Sequence, residues 1–115
     1  MIHKMKLFGT SFDKIKNNSK DIEVRLYDEK RKTIHVGDKI IFYKLPENNE
    51  TITTEVTGLS IFSNFNDLLS NFDCSRFGHH NLSKEEQLAN IKKIYSKEQE
   101  KEHGVIGIHL KLNFK

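Results

Sequence analysis

Apolar residues fall at every second place in several short runs of this chain, and no other feature limits its fold as much. In KDIEVRLYDEKR, from Lys20 to Arg31, the alternating residues are Ile22, Val24 and Leu26. Period two is the repeat of a strand with one buried face, which places Asp21, Glu23, Arg25 and Tyr27 together on the other. A charged strand face is ordinarily just solvated. The alternative is a polar face that lines a cleft, where Lys20, Glu23 and Arg25 hold a ligand.

Four further segments read as strands. IHKMKLF alternates at the start of the chain, and HGVIGIHLKLNF alternates at its end, with small Gly107 inside it. Gly37-Asp38 turns into the run Ile40 to Tyr43, and PENNE separates that run from TITTEVTGLSIF, so 39–45 and 51–62 are expected to form an antiparallel hairpin. Helical spacing marks three other places. Phe12 and Ile15 follow Thr10 or Ser11 as cap; Phe65, Leu68, Leu69 and Phe72 follow Ser63 or Asn64; and Ser83 with Glu86 makes a capping box before Leu88, Ile91 and Tyr95. These elements predict an α+β fold, a small, mostly antiparallel β-barrel of about five strands with three short helices flanking one mouth. The mouth of such a barrel is a common seat for a ligand.

The 115 residues suit one domain spanning 1–115, with no repeat or linker. No apolar run reaches the roughly 20 residues needed to cross a bilayer, and MIHKMKLF lacks the form of a secretory signal. One cysteine, Cys74, fits a reducing compartment, so the expected location is cytoplasmic, without membrane contact. Net charge is only +3, but residues 1–46 hold 11 Lys/Arg against 6 Asp/Glu and the rest 8 against 10. The first part is therefore net +5 and the remainder net −2, which raises an anionic ligand as a possibility for the basic part.

KIKNNSKDIEVRLYDEKRKTIHVGDKIIF resembles the motif of the ASCH domain, a branch of the PUA-like barrels, in which a pattern of lysine, small residue, Lys, any, Ile, Glu, any, Arg leads into a Gly-Asp turn and a strand. IYSKEQEKEHGVIGI is similar to the family's C-terminal Tyr-Ser…Glu…Gly-Val pattern, so the resemblance covers nearly the whole chain. It implies a PUA-like barrel with a cleft beside the motif strand that binds RNA, a nucleoside or a nucleotide. The family positions that carry over are Lys20, Glu23 and Arg25. Arg and Lys suit phosphate or carbonyl oxygens, and a carboxylate can accept from an exocyclic amine. One branch of the family comprises amidohydrolases that deacetylate N4-acetylcytidine, with a lysine, a threonine three residues later and a glutamate before the last helix. Lys20 matches that lysine, but Glu23 stands in place of the threonine and His80 in place of the glutamate. Catalysis here would therefore need a different set, Lys20, Glu23 and His80.

Several other residues are candidates for the ligand site. Tyr27 and Tyr95 are of a type that stacks bases, though Tyr95 also falls on the apolar helical face; Lys30 and Arg31 are placed to guide an anion; and His80 lies in the loop before the last helix. Cys74, His79 and His80 are ligand types for zinc, but their spacing lacks a paired-ligand pattern, and no metal or other cofactor is expected. The expected function is an RNA- or nucleotide-binding ASCH module. The alternatives are hydrolysis of an acylated nucleoside and a protein-interaction module with a vestigial cleft.

Overall fold

In a computed structural model, residues 1–79 and 82–113 are described. Five strands form one sheet: β1 (Ile2–Phe8), β2 (Ile22–Leu26), β3 (Lys39–Leu45), β4 (Thr51–Phe62) and β5 (Val105–Leu112). Their order is β1-β3-β4-β5-β2, with β1 parallel to β3 and every other pair antiparallel. The sheet curls into a half-barrel, the mixed α+β architecture anticipated from the alternating runs. The 39–45/51–62 hairpin forms as expected, from Tyr43 opposite Thr51 to Lys39 opposite Glu55.

Four α-helices surround the sheet among the described residues: α1 (Gly9–Lys16), α2 (Phe65–Ser70), α3 (Lys84–Lys92) and α4 (Lys97–His103). The fourth lies beyond the three expected, and short 3₁₀ turns occupy Arg31–Thr33 and Cys74–Phe77. Asn64 caps α2 and the Ser83/Glu86 box caps α3, as their spacing predicted. The cap expected at Thr10 or Ser11 does not form: β1 runs straight into α1 with extended Phe8 at the cap position, leaving no polar side chain between them.

Met5 and Leu7 of β1, Phe12 and Ile15 of α1, and Ile40 and Phe42 of β3 make the principal core with inward residues of β4 and β5. A second set, Leu26, Phe65, Leu68 and Val105, lies beside Ile22, Leu69 and Phe77, and Leu88 and Ile91 of α3 pack against both. Gly107 fits this packing because a Cβ there would meet Leu68 Cδ1 at 3.0 Å and Ile22 Cγ2 at 3.2 Å. The glycine is thus a point of close approach within a continuous strand rather than a break. β1 and β2 are the free edges of the sheet. Across them the Arg25 guanidinium donates through Nη2 to the Lys6 carbonyl at 3.0 Å, so a side chain bridges the seam that no ladder closes.

Candidate functional site

The chain enters β2 through a tight reversal after α1. Asn18 takes a left-handed conformation (φ 67°), a region that asparagine tolerates better than most residues, and Ser19 and Lys20 both donate their backbone N–H to the Lys14 carbonyl. From the other side, Gly78 (φ 86°) backs directly onto this turn. A Cβ on it would lie 2.9 Å from Lys14 Cδ and 3.2 Å from Lys20 Cβ, while Asp21 N–H donates to the Arg76 carbonyl at 3.0 Å. Lys20 is thereby held at the start of β2, on the same side as Glu23 and Arg25.

These three side chains form a compact ion triad. Lys20 Nζ lies 2.9 Å from Glu23 Oε1, and Arg25 Nε donates to Glu23 Oε2 at 2.6 Å. Their side chains are only 10%, 6% and 15% exposed for Lys20, Glu23 and Arg25, so the polar face of the motif strand is not the solvated face that charge alone suggests. Burial pushes the Glu23 carboxyl up, but Lys20 and Arg25 outweigh it and hold the group below its ordinary value. The same balance acts on Arg25, where burial lowers and Glu23 raises, with a net rise. At neutral pH the triad is two cations around one anion, net +1.

The triad lines a cleft of about 320 Å³, near the lower end of the roughly 300–1,000 Å³ usual for small-molecule sites. Leu69, Phe77 and Ile91 supply apolar wall, and Tyr95 an aromatic one. The Tyr95 ring is stacked on Phe65, with centroids 5.7 Å apart and planes 18° from parallel, and burial raises its hydroxyl above the ordinary tyrosine value. Lys6, Ser11, His79, Gln87 and Asn90 complete the polar lining. Gln87 is 4% exposed; its Nε2 donates to the Leu82 carbonyl at 3.5 Å, while its Oε1 is buried without a donor among the described residues. An acceptor left in that state costs about 1–3 kcal/mol, which a ligand N–H would offset.

Of the residues singled out in the sequence, Lys20, Glu23, Arg25 and Tyr95 are brought together here. Lys30 and Arg31 line an adjoining groove that shares Lys6 and Arg25 with the cleft. Tyr27 does not join them. β2 ends at Leu26, the alternation stops there, and the Tyr27 ring packs against the principal core with Lys32 Nζ 5.7 Å from its centroid. His80 lies outside the described residues, so the set Lys20, Glu23 and His80 is described only through its first two members. Gln87, Asn90, Ile91 and Ile94 of the cleft follow helical spacing, a signal present in the sequence beside the Leu88–Ile91–Tyr95 stripe. Among the described residues no three metal-ligating side chains gather.

The sequence profile described as "ASCH domain" matches residues 5–114. The chain belongs to the ASCH family. Two solved structures share both its fold and a third or so of its sequence. The crystal structure of hypothetical protein PH0355 has a TM-score of 0.88 at 32% identity, covering 98% of this chain and 100% of that one. The solution structure of protein PF0455 from Pyrococcus furiosus has a TM-score of 0.79 at 30% identity, covering 100% of both chains. A mutant of ZmASCH from Zymomonas mobilis shares the fold alone, with a TM-score of 0.69 at 14% identity over 96% of this chain and 67% of that one. No curated protein matches the sequence. Within this ASCH domain, no helix among the described residues is long and apolar enough to cross a membrane.

Proposed function

We propose that this ASCH domain is an RNA- or nucleotide-binding module, and that the cleft between β2 and α3 receives a base-like ring with its polar edge toward the triad. One observation carries the reading: Lys20, Glu23 and Arg25 of the motif strand and Tyr95, from far along the chain, converge on one cleft whose remaining wall is largely apolar. Such a cleft suits a flat, polar-edged ligand. Tyr95 and Ile91 cover the faces of a ring, the free N–H groups of Lys20 and Arg25 meet carbonyl or phosphate oxygens, and Glu23 and Gln87 Oε1 accept from amines. The +1 triad favours an anion over a cation. We place the protein in the cytoplasm, where the single thiol of Cys74 stays reduced.

Fluorescence anisotropy with a labelled single-stranded and a structured RNA, at two salt concentrations, tests the reading. Binding is expected at low salt and should weaken as salt rises, because phosphate neutralisation releases counterions. Tyr95→Leu should weaken it by about 1–3 kcal/mol, the range for one lost base–aromatic stack, in a domain that still melts cooperatively. Absence of binding to either RNA at low salt, together with no calorimetric signal from the common nucleosides and nucleotides, would remove it.

A further inference from the structure

Beside the cleft lies a second groove of about 620 Å³, and its lining is unlike that of the first. Lys4, Lys6, Arg25, Lys30 and Arg31 surround it together with Tyr43, and among the described residues no carboxylate lines it. The fold brings them together for simple reasons. Met5 and Leu7 of β1 point into the core, so Lys4 and Lys6 share the opposite face, and the parallel register sets Tyr43 of β3 beside Lys6. Lys30 and Arg31 arrive from the turn after β2, whose strand is tied to β1 through Arg25 and the Lys6 carbonyl.

Of the five cations of this groove, Arg25 is paired with Glu23 and Arg31 with Asp28, and the three lysines are not neutralised by any described residue. Lys4, Lys6 and Lys30 make no ion pair or side-chain hydrogen bond among the described residues, whereas Lys16, Lys32 and Lys44 elsewhere each have a carboxylate. Arg31 spends only Nη1, on Asp28 at 3.2 Å. Its Nε is buried with no acceptor among the described residues, so the Nε–Nη2 edge, the fork that fits an oxyanion through two parallel bonds, is unused. The three unpaired lysines repel one another, and an anion among them removes that repulsion.

We infer that this groove seats the phosphate of a ligand whose base occupies the adjoining cleft, so that the domain selects phosphorylated ligands, a nucleotide or the phosphodiester strand of RNA, over free nucleosides. The inference rests on the reading of the cleft given above. Lys6 and Arg25 line both spaces and form the boundary between base and phosphate. Tyr43 supplies a face for the sugar between them.

The test is NMR titration of the ¹⁵N-labelled domain with the four common ribonucleosides, their 5′-monophosphates and a mixed-sequence RNA octamer, repeated on the double variant Lys4→Gln, Lys30→Gln. Both lysines are exposed and neither lines the cleft, so the variant should retain the wild-type spectrum elsewhere. Nucleosides are expected to shift cleft amides such as Leu69 and Ile91, and monophosphates to shift Arg31 and Tyr43 as well, binding at least tenfold more tightly. In the double variant that advantage should fall to about threefold or less. The octamer's log-affinity against log-salt slope should shrink by about 1.4, at roughly 0.7 per lost phosphate contact. An advantage limited to monophosphates marks free nucleotides as the source of the phosphate; one greater for the octamer marks RNA. Cleft shifts from nucleosides with no phosphate advantage, or an advantage the double variant leaves unchanged, would overturn the phosphate seat while sparing the cleft. Groove shifts without cleft shifts would uphold the seat and remove the base cleft, and silence at both would remove the two together.

Discussion

Replacing Glu23 by Gln keeps the shape of the side chain and deletes the one negative charge that holds Lys20 and Arg25 in place. The wild-type contacts are short, 2.9 Å to Lys20 and 2.6 Å to Arg25, and the carboxylate side chain is only 6% exposed. Removing one partner of a buried ion pair destabilises by about 3–5 kcal/mol, because the surviving charge stays desolvated. Two cations survive here, which argues for the upper half of that range; the cleft beside them admits water, which argues for the lower. Urea unfolding followed by far-UV circular dichroism should therefore show a loss of roughly 3–4 kcal/mol at pH 7.

The same variant carries a pH signature. A carboxyl whose folded value lies below its unfolded one contributes stability that is present above about 4.5 and is lost as pH falls through the folded value. Wild type should therefore lose this contribution below pH 4.5, while Glu23→Gln has none to lose, so the gap between them should be constant above pH 6 and narrow in acid. A loss under roughly 1 kcal/mol at pH 7, the size typical of solvated surface pairs, would refute the buried-triad reasoning. A gap that widens in acid would refute the sign of the Glu23 shift.

Gly107→Ala should destabilise by about 1–3 kcal/mol through overpacking against Leu68 and Ile22, and thermal denaturation measures it. His109, on β5, is held below the ordinary histidine value by burial first and by Arg76 second, with Asp21 opposing; its Nε2 lies 2.7 Å from Ser60 Oγ and its Nδ1 3.3 Å from Arg76 Nη2. Since the folded state resists protonation, stability should fall as pH drops below about 6.5, and the urea midpoint of His109→Gln should fall less between pH 7 and pH 5.5 than that of wild type. Incubation with N4-acetylcytidine should release no cytidine above background by liquid chromatography, because Glu23 holds Lys20 in an ion pair and supplies no hydroxyl.

The sheet was legible because its strands alternate and its hairpin has a clear turn, Pro46 to Glu50, between two β-rich runs. The β1–β3 parallel pairing was not, since strand partners are settled by packing between segments far apart in sequence. α4 escaped notice because no buried residue interrupts KEQEKEH, so hydrophobic periodicity has nothing to report there. Its signal was the box of Ser96 with Gln99, which satisfies the first N–H groups by the same device as Ser83 with Glu86. The candidate site was legible as a set of residues and illegible as an environment. Lys20, Glu23 and Arg25 stand out in the strand, but their burial follows from the half-barrel, the loop at Gly78 and α3, which no local pattern encodes.

That burial bears on what the triad is for. Replacing a whole buried ion network by apolar residues of similar volume is often neutral, or stabilising by about 1–4 kcal/mol, even where breaking it in half is costly. Stability alone thus gives the chain little reason to hold three charges at this place, whereas recognition of a polar ring edge does. The triple variant Lys20→Met, Glu23→Leu, Arg25→Met separates the two. It is expected to regain most of the loss seen in Glu23→Gln, with the exposed Lys6 carbonyl taking water in place of Arg25. Its affinity for the RNA probes should fall to the level set by nonspecific attraction. A triple variant as unstable as the single one would show instead that Arg25 is needed to hold β1 and β2 across the seam. The triad would then be part of the scaffold, and the polar cleft would be left with Gln87, Asn90 and Tyr95 to recognise its ligand.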